Sequence, residues 1–499
     1  MWKLLPLISF ALVSVLGTVL AGQDKAVDEA ARIAAVTQPT DDFSRSEPYE
    51  LRPGGAATSF ETVNRDAFSH ASANMSFERE LDFKVGNGIF RKIWVSAPAS
   101  TASSDGLGPL FNARACQSCH LKDGRGHPPA TSEDAGGSML LRLSVPPQDD
   151  AQREALASLR QSVIPEPTYG TQLQDLSIQG HLAEGRLRIE YEEIPVELAD
   201  GTVVHLRNPT YRVTDLNYGP MNPEVMLSAR IAPPMIGLGL LEMIDESDIL
   251  AGADPDDANG DGISGKPNRV WSEAHGEVRL GRFGWKAGEP TIRQQTAHAF
   301  AGDIGLSSDL TPTPAGDCTD RQPDCLAAPN GVDPQYGDLE VAPEMMDLVV
   351  FYSRNLAVPA RRDLDDPDIL AGKRLFYESG CITCHRPKYV TRRDEAHPEQ
   401  SFQLIWPYTD LLLHDMGEGL ADGRPDGNAT GREWRTPPLW GIGLTEVVNG
   451  HTLFLHDGRA RNLLEAILWH GGEAEAARKR IVEMTEAQRD ALIAFLNSL

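Results

Sequence analysis

Two short segments of the chain carry the same reactive set: Cys116, Cys119 and His120 in RACQSCH, and Cys381, Cys384 and His385 in GCITCH. In C-x-x-C-H, two thiols at the start of a helix can each form a thioether to a haem vinyl group, while the adjacent histidine turns under the iron as proximal ligand. Two other chemistries use paired cysteines. A structural zinc site needs four ligands close together, and neither segment has a second C-x-x-C or a close histidine pair beside it. A redox dithiol belongs in a thioredoxin-type βαβ context, which the flanking sequence does not offer. Both motifs follow a similar run, PLFNARACQSCH and RLFYESGCITCH, which predicts a helix leading into each. Two covalent haem c groups are therefore expected, with His120 and His385 as iron ligands. The remaining Cys318 and Cys325, in GDCTDRQPDCLAA, have no histidine beside them; in an oxidising compartment they read as a short-loop disulfide, and otherwise as two surface thiols.

The compartment is legible at the N-terminus. MWKLLPLISFALVSVLGTVLAGQ has one lysine, an apolar run, and Val19 and Ala21 at the −3 and −1 positions of a cut before Gly22. That is the layout of a secretory signal over residues 1–21, with an uncleaved anchor as the alternative, so a periplasmic location is expected. Residues 22–60 read as a polar, poorly ordered leader. No later stretch is long and apolar enough to span a bilayer. The formal net charge of −26 repels nucleic acid and anionic lipid, and it suits a cationic partner such as a small basic redox protein or a metal ion.

At 499 residues the chain is too long for one core. The alternation of Leu187, Ile189 and Tyr191, then Val203 and His205, around Ala199-Asp200-Gly201 predicts a β-hairpin. Met346, Val349, Val350 and Leu356 stand at helical spacing, and the proline-containing AVPARRDLDDPD that follows marks a boundary near 360. The last segment has Thr485 as a helix N-cap and Ala491, Leu492, Phe495 and Leu496 as a buried face. In DPDDANGDGISG, Asp257, Asn259 and Asp261 begin an EF-hand-type oxygen series, but Asn268 stands where the closing glutamate belongs. Calcium held outside EF-hand geometry and a metal-free turn are the two readings of this loop.

At GLGPLFNARACQSCHLKDGRG, RIAPPMIGLGLLE, DANGDGISGKPNRVW, PPLWGIGL and FLHDGRARNLLEAILWHGGEAEAA the sequence resembles the di-haem oxidoreductase family, related to bacterial di-haem cytochrome c peroxidases, from about residue 80 to the C-terminus. The resemblance implies a sixth ligand for the second iron. In those peroxidases a methionine supplies it, at the end of the helix after an HDG turn; here the turn is His456-Asp457-Gly458 and the matching residue is His470. Imidazole in place of a thioether lowers an iron's potential. Without that role His470 is a helix-terminal residue beside Gly471, and His414 and Met416 are competing ligands. Trp285 and Gln295 match a tryptophan between the haems and a glutamine, and Asp303 lies near an acidic residue of the distal face. No histidine matches the family's distal one, which leaves His127, Met139, Met235 and His298 as candidates.

The expected fold is mainly α, with two cytochrome-c-like domains facing each other: an N-terminal haem c domain, 61–360, with a large β-containing insertion, and a C-terminal one, 361–499. The expected function is that of an exported di-haem c-type oxidoreductase of peroxidase type. Electrons from a small redox protein or a quinol-linked donor would enter at the His385 haem, pass Trp285, and reach peroxide or dioxygen at the His120 haem. A di-haem oxygenase and a non-enzymatic electron-transfer cytochrome linked to iron handling are the alternatives.

Overall fold

Six helices set the frame in the computed structural model, which describes residues 28–131 and 137–499, so the signal segment 1–21 lies outside it. They are α1 (Phe77–Phe90), α2 (Ile292–Ala299), α3 (Pro343–Arg354), α4 (Pro367–Glu378), α5 (Leu463–Leu468) and α6 (Glu486–Ser498). Proline at the first turn of α3 and α4 costs no hydrogen bond, and the Asp366 carboxylate caps α4. Thr485 and Gln488 close a capping box at the start of α6.

Two helix crossings are built alike. α1 packs on α3 and α4 on α6. A Cβ on Gly86 would lie 2.2 Å from the Leu348 carbonyl oxygen, and one on Gly372 would lie 1.9 Å from that of Ala491. Only glycine allows backbones that close. Four residues beyond each glycine stands a phenylalanine, Phe90 or Phe376, whose ring centroid lies 6.2 Å from that of His120 or His385.

The expectation of a mainly α fold with two cytochrome-c-like domains fails. The described residues are 30% helical and 16% strand, with their strands in small antiparallel sheets. The physical reason lies in 35 prolines and 45 glycines, which stop helices early and let the intervening chain close into short ladders. The ladders used below are β1 (Met139–Ser144) with β4 (Met226–Ile231), β2 (Arg186–Glu197) with β3 (Val203–Thr214), and β5 (Leu413–Asp415) with β6 (Glu433–Arg435). The run before the first motif is also not helical. Leu110–Phe111 is a strand paired with Leu176–Ser177, whereas Leu375 and Phe376 do lie in a helix.

The β2–β3 hairpin forms where the alternation placed it, yet it docks on the C-terminal part of the chain. The Tyr211 hydroxyl donates to Asp457 at 2.7 Å, Arg207 donates to the carbonyls of Gly458 and Arg459, and the Ala199 N–H donates to Val482 O at 3.0 Å. Both hydrophobic clusters likewise draw on both sides of residue 360: one joins Phe90 and Met346 to Leu411 and Trp440, the other Met139 and Trp285 to Phe376 and Phe495. Part of the expected leader belongs to this body as well. Glu47 and Glu50 meet the Lys373 ammonium at 2.8 and 2.9 Å and also pair with Lys388 and Arg361, respectively, in a buried cluster. Removing one partner from such a cluster strands a buried charge and costs about 3–5 kcal/mol. Among the described residues no helix is long and apolar enough to cross a membrane.

Candidate functional site

The first motif is a single helical turn, Cys116–Cys119, ended by His120. The His120 Nδ1–H donates to Pro233 O at 2.9 Å, and burial pushes its pKa down to about 4. A neutral imidazole has one N–H; with that proton fixed on Nδ1, the Nε2 lone pair is left free to bind a metal. Cys116, Cys119 and His120 line one cavity of about 550 Å3, within the roughly 300–1,000 Å3 typical of cofactor sites. Its wall is largely apolar, with Phe90 and Trp285, and it also carries arginines. Burial pushes the Cys116 thiol up to about 12, so the sulfur is a neutral thiol. Two thiols, a neutral imidazole with a free nitrogen, and an apolar slot with cations fit a covalently held haem.

α2 and the π-helical turn that extends it, Phe300–Ile304, bring Gln295, His298 and Asp303 to the same cavity. Such turns recur at functional sites. The turn ends at Gly305, whose φ of +81° and approach to Gly108, 2.6 Å from a built Cβ to that Cα, exclude a side chain. Asp303 is fixed at both ends: its carbonyl accepts from the N–H groups of Asn112 and Ala113, and its carboxyl accepts from Gln172 Nε2 at 2.9 Å. Burial raises that carboxyl's pKa. The His298 ring donates to Glu289 at 2.6 Å, and the glutamate's charge raises its pKa. Met235 lines the cavity two residues beyond Pro233. His127, exposed and donating to Pro128 O, is not among its lining residues, nor is the core residue Met139.

Trp285 is buried in the cavity wall, with its indole N–H on Ile231 O at 2.8 Å. Its carbonyl accepts from the Arg435 N–H at 2.9 Å. Arg435 stands in β6 opposite Leu413 of β5, and His414, next along β5, lies 3.5 Å from Cys384 Sγ. Trp285 is therefore one hydrogen bond from the strand pair that reaches the second motif.

At that motif the His385 Nδ1–H donates to Tyr408 O at 2.9 Å, and burial again pushes the pKa to about 4. His470, just past α5, donates Nδ1–H to Ala466 O at 2.8 Å, and burial lowers its pKa. It too keeps a free Nε2, and it is close enough to His385 to depress that residue's pKa. His414 differs. Its Nε2 bonds Asp410 at 2.8 Å and its Nδ1 bonds Glu473 at 2.7 Å. Burial opposes its charge, but Asp410 outweighs burial and the pKa rises well above the ordinary value. A doubly protonated imidazole has no lone pair for a metal. Met416 is half-buried at the edge of the core, and His456 stacks on Trp434 with ring centroids 3.7 Å apart.

Comparison with known families decides the assignment. The profile described as "Di-haem oxidoreductase, putative peroxidase" matches residues 50–499. The chain belongs to this family. A comparison with curated proteins finds no match. Among solved structures, Kuenenia stuttgartiensis hydrazine synthase pressurized with 20 bar xenon is 17% identical over 33% of this chain and 57% of that chain, with a TM-score of 0.23; the match thus spans just over half of that chain, and the likeness carries no argument.

Two other expected features of this di-haem oxidoreductase lie apart from its motifs. Cys318 and Cys325 are joined as a disulfide, with Cα atoms 6.2 Å apart. The neighbouring Asp317 carboxylate accepts from the N–H groups of Thr171 and Gln172, tying that loop to the cavity wall. In the acidic loop, Asp257 accepts from the Gly262 N–H, Asn259 from that of Asp261, and Asp261 from that of Ile263. Those oxygens hold the loop's own backbone. Residues that motif reading missed are the carbonyls of Pro233 and Tyr408, Glu289, and Phe90. The repeated Gly-x-x-x-Phe of Gly86/Phe90 and Gly372/Phe376 was the available signal for the last.

Proposed function

We propose that this di-haem oxidoreductase is an exported, peroxidase-type enzyme in which the His120 site is reactive and the His385 site stores and delivers electrons. One asymmetry carries the reading: the His120 site opens on a cavity with its own proton-handling groups, whereas the His385 site has His470 beside it with a free Nε2. Cys116 and Cys119, and Cys381 and Cys384, would hold the two haems, which would supply one-electron exchange and peroxide or dioxygen chemistry.

The protein's own part is positional. Pro233 and Tyr408 hold the two proximal rings in the tautomer that frees Nε2. Asp303, its pKa raised by burial, can take a proton from a peroxide in the cavity, and Gln295 lines the same space. The indole of Trp285 fills the interval toward β5 and β6, keeping the path between the sites short and dry. The acidic surface suits a cationic donor protein. Export is supported by the N-terminal signal pattern and by a disulfide that suits an oxidising compartment.

Low-temperature EPR with carbon monoxide binding tests the division. One high-spin and one low-spin ferric centre are expected, with carbon monoxide binding only at the His120 site of the reduced protein. His470→Ala should convert the low-spin signal to high-spin and open a second carbon monoxide site. Carbon monoxide binding only at the His385 site of the unaltered protein overturns the assignment, and two low-spin centres with no binding leave an electron carrier.

A further inference from the structure

We propose that Arg230 and Arg424 form a carboxylate-binding site in the wall of the His120 cavity, and that its occupant is a propionate of the haem held there, an inference that rests on the haem reading above.

The starting observation is a charge imbalance in a buried place. Lys286, fully buried, donates to Asp422 at 2.7 Å and to the carbonyls of Arg424 and Thr430. Arg230 reaches Asp426 at 3.0 Å and stands 4.0 Å from Asp422. Arg424, with a side chain 4% exposed, shares Asp426 at 3.4 Å. Three cations thus divide two carboxylates, one of which is also used by the Ser228 hydroxyl. Arg142, on β1, is paired with Ser228 of β4, two residues from Arg230, so the strand pair brings a further guanidinium to the group. Among the other ionisable neighbours, His456 is held neutral by burial, its pKa pushed down to about 4, and Asp457 beside it is paired with Arg459 at 2.8 Å. Arg142 also faces the cavity carboxylates Asp303 and Asp317, whereas among the described residues Arg230 and Arg424 have only Asp422 and Asp426, which Lys286 shares, and a buried positive charge without a counter-charge is costly.

The hydrogen-bonding capacity points the same way. Arg230 Nη2 and Arg424 Nε are buried and have no hydrogen-bond partner among the described residues, and both side chains line the cavity. Guanidinium N–H groups left over from a shared aspartate are what a planar carboxylate binds. A neutral peroxide or dioxygen would not balance them. Cys116 and Cys119 line the same cavity, so a haem anchored there would share it with these arginines and would have two propionate carboxylates to offer them. The other source of the same chemistry is a free organic carboxylate acting as substrate.

The test uses the full haem-loaded protein and its Arg424→Gln, Arg230→Gln and Arg424→Lys variants. Covalent haem is counted by the pyridine haemochrome assay, and the midpoint potential of each haem is followed against pH. Two haems per chain are expected in every variant, because attachment rests on the cysteines. In Arg424→Gln and Arg230→Gln the potential of the His120 haem should shift and become pH-dependent at mildly acidic pH, since a carboxylate deprived of its cations titrates higher. Arg424→Lys should stay near the unaltered protein, and the His385 haem should not move. Two haems per chain with an unmoved potential and pH profile overturn the site while leaving the haem reading intact; one haem per chain in the unaltered protein overturns that reading first. Saturable perturbation of the unaltered protein's spectrum by benzoate, weakened tenfold or more in Arg424→Gln, also overturns the propionate and assigns these arginines to an exogenous carboxylate.

Discussion

Around His120 the chain leaves a cavity of about 550 Å3 edged by Gln295, His298 and Asp303, while around His385 it brings up His470 and ties the nearby His414 between Asp410 and Glu473. The proximal halves are nearly the same: a short turn carrying the cysteines, Nδ1 locked on a carbonyl 2.9 Å away, and a phenylalanine ring 6.2 Å from the imidazole. The difference teaches that C-x-x-C-H fixes only how a haem is held. What it does follows from the groups that distant segments supply to the rest of the site.

The largest expected effect separates the two sites outright. Cys116→Ala with Cys119→Ala, or Cys381→Ala with Cys384→Ala, should each lower covalent haem from two per chain to one, and the first pair should also abolish peroxide turnover; the haemochrome assay and a peroxidase assay read these directly. Next comes Asp303→Asn, expected to slow peroxide-dependent turnover by about 100- to 10,000-fold, the range for losing a positioned base, with haem content unchanged. Because burial raises the pKa of Asp303, peroxide-dependent turnover by the unaltered protein should rise with pH as the base form of Asp303 develops. Asp303→Asn should lose that limb, and a retained limb would move the role to His298 and Glu289.

Trp285→Phe should slow electron transfer between the haems in stopped-flow mixing of the reduced protein with peroxide, without changing carbon monoxide binding at the first. It also removes the donor to Ile231 O, a loss worth about 1–3 kcal/mol of stability.

The smallest effect contrasts two buried glutamates. Near the second site, burial would raise the pKa of Glu50, but Arg361 and Lys373 outweigh burial and hold it low. Glu184 braces the first site through Gln174, which donates to the cavity-lining Gly302 carbonyl, and among the described residues no cation faces it; burial pushes it up to about 8. Between its ordinary value of 4.5 and about 8 the unfolded chain gives up this proton and the folded one keeps it, so the group lowers stability as pH rises through that window. Thermal unfolding at the two ends of the window should show Glu184→Gln gaining on the unaltered protein toward higher pH, by on the order of a few degrees. A pH-independent difference would mean the carboxyl is ionised in the fold.

Much of the local structure was legible because it depends on neighbours a few residues apart. The alternation at 187–205 gives the β2–β3 hairpin, the helical spacing from Met346 gives α3, and Thr485 caps α6. The content of each motif, two thiols and an imidazole, is likewise local and fixed by the residues themselves. What the tertiary structure decided involves partners far apart in sequence. The similar leads into the motifs predicted a helix before each, yet Phe111 lies in a strand where Phe376 lies in a helix, and Phe90 takes the place beside His120. The ring of His414 reads as a ligand until Asp410 and Glu473 occupy both nitrogens. The hairpin, encoded in the first half, is held by Asp457, Gly458 and Val482 of the second. Spacing within a segment is set by backbone geometry and can be read from a sequence, whereas the choice among distant partners depends on which surfaces bury each other and which charges that burial leaves to be paired.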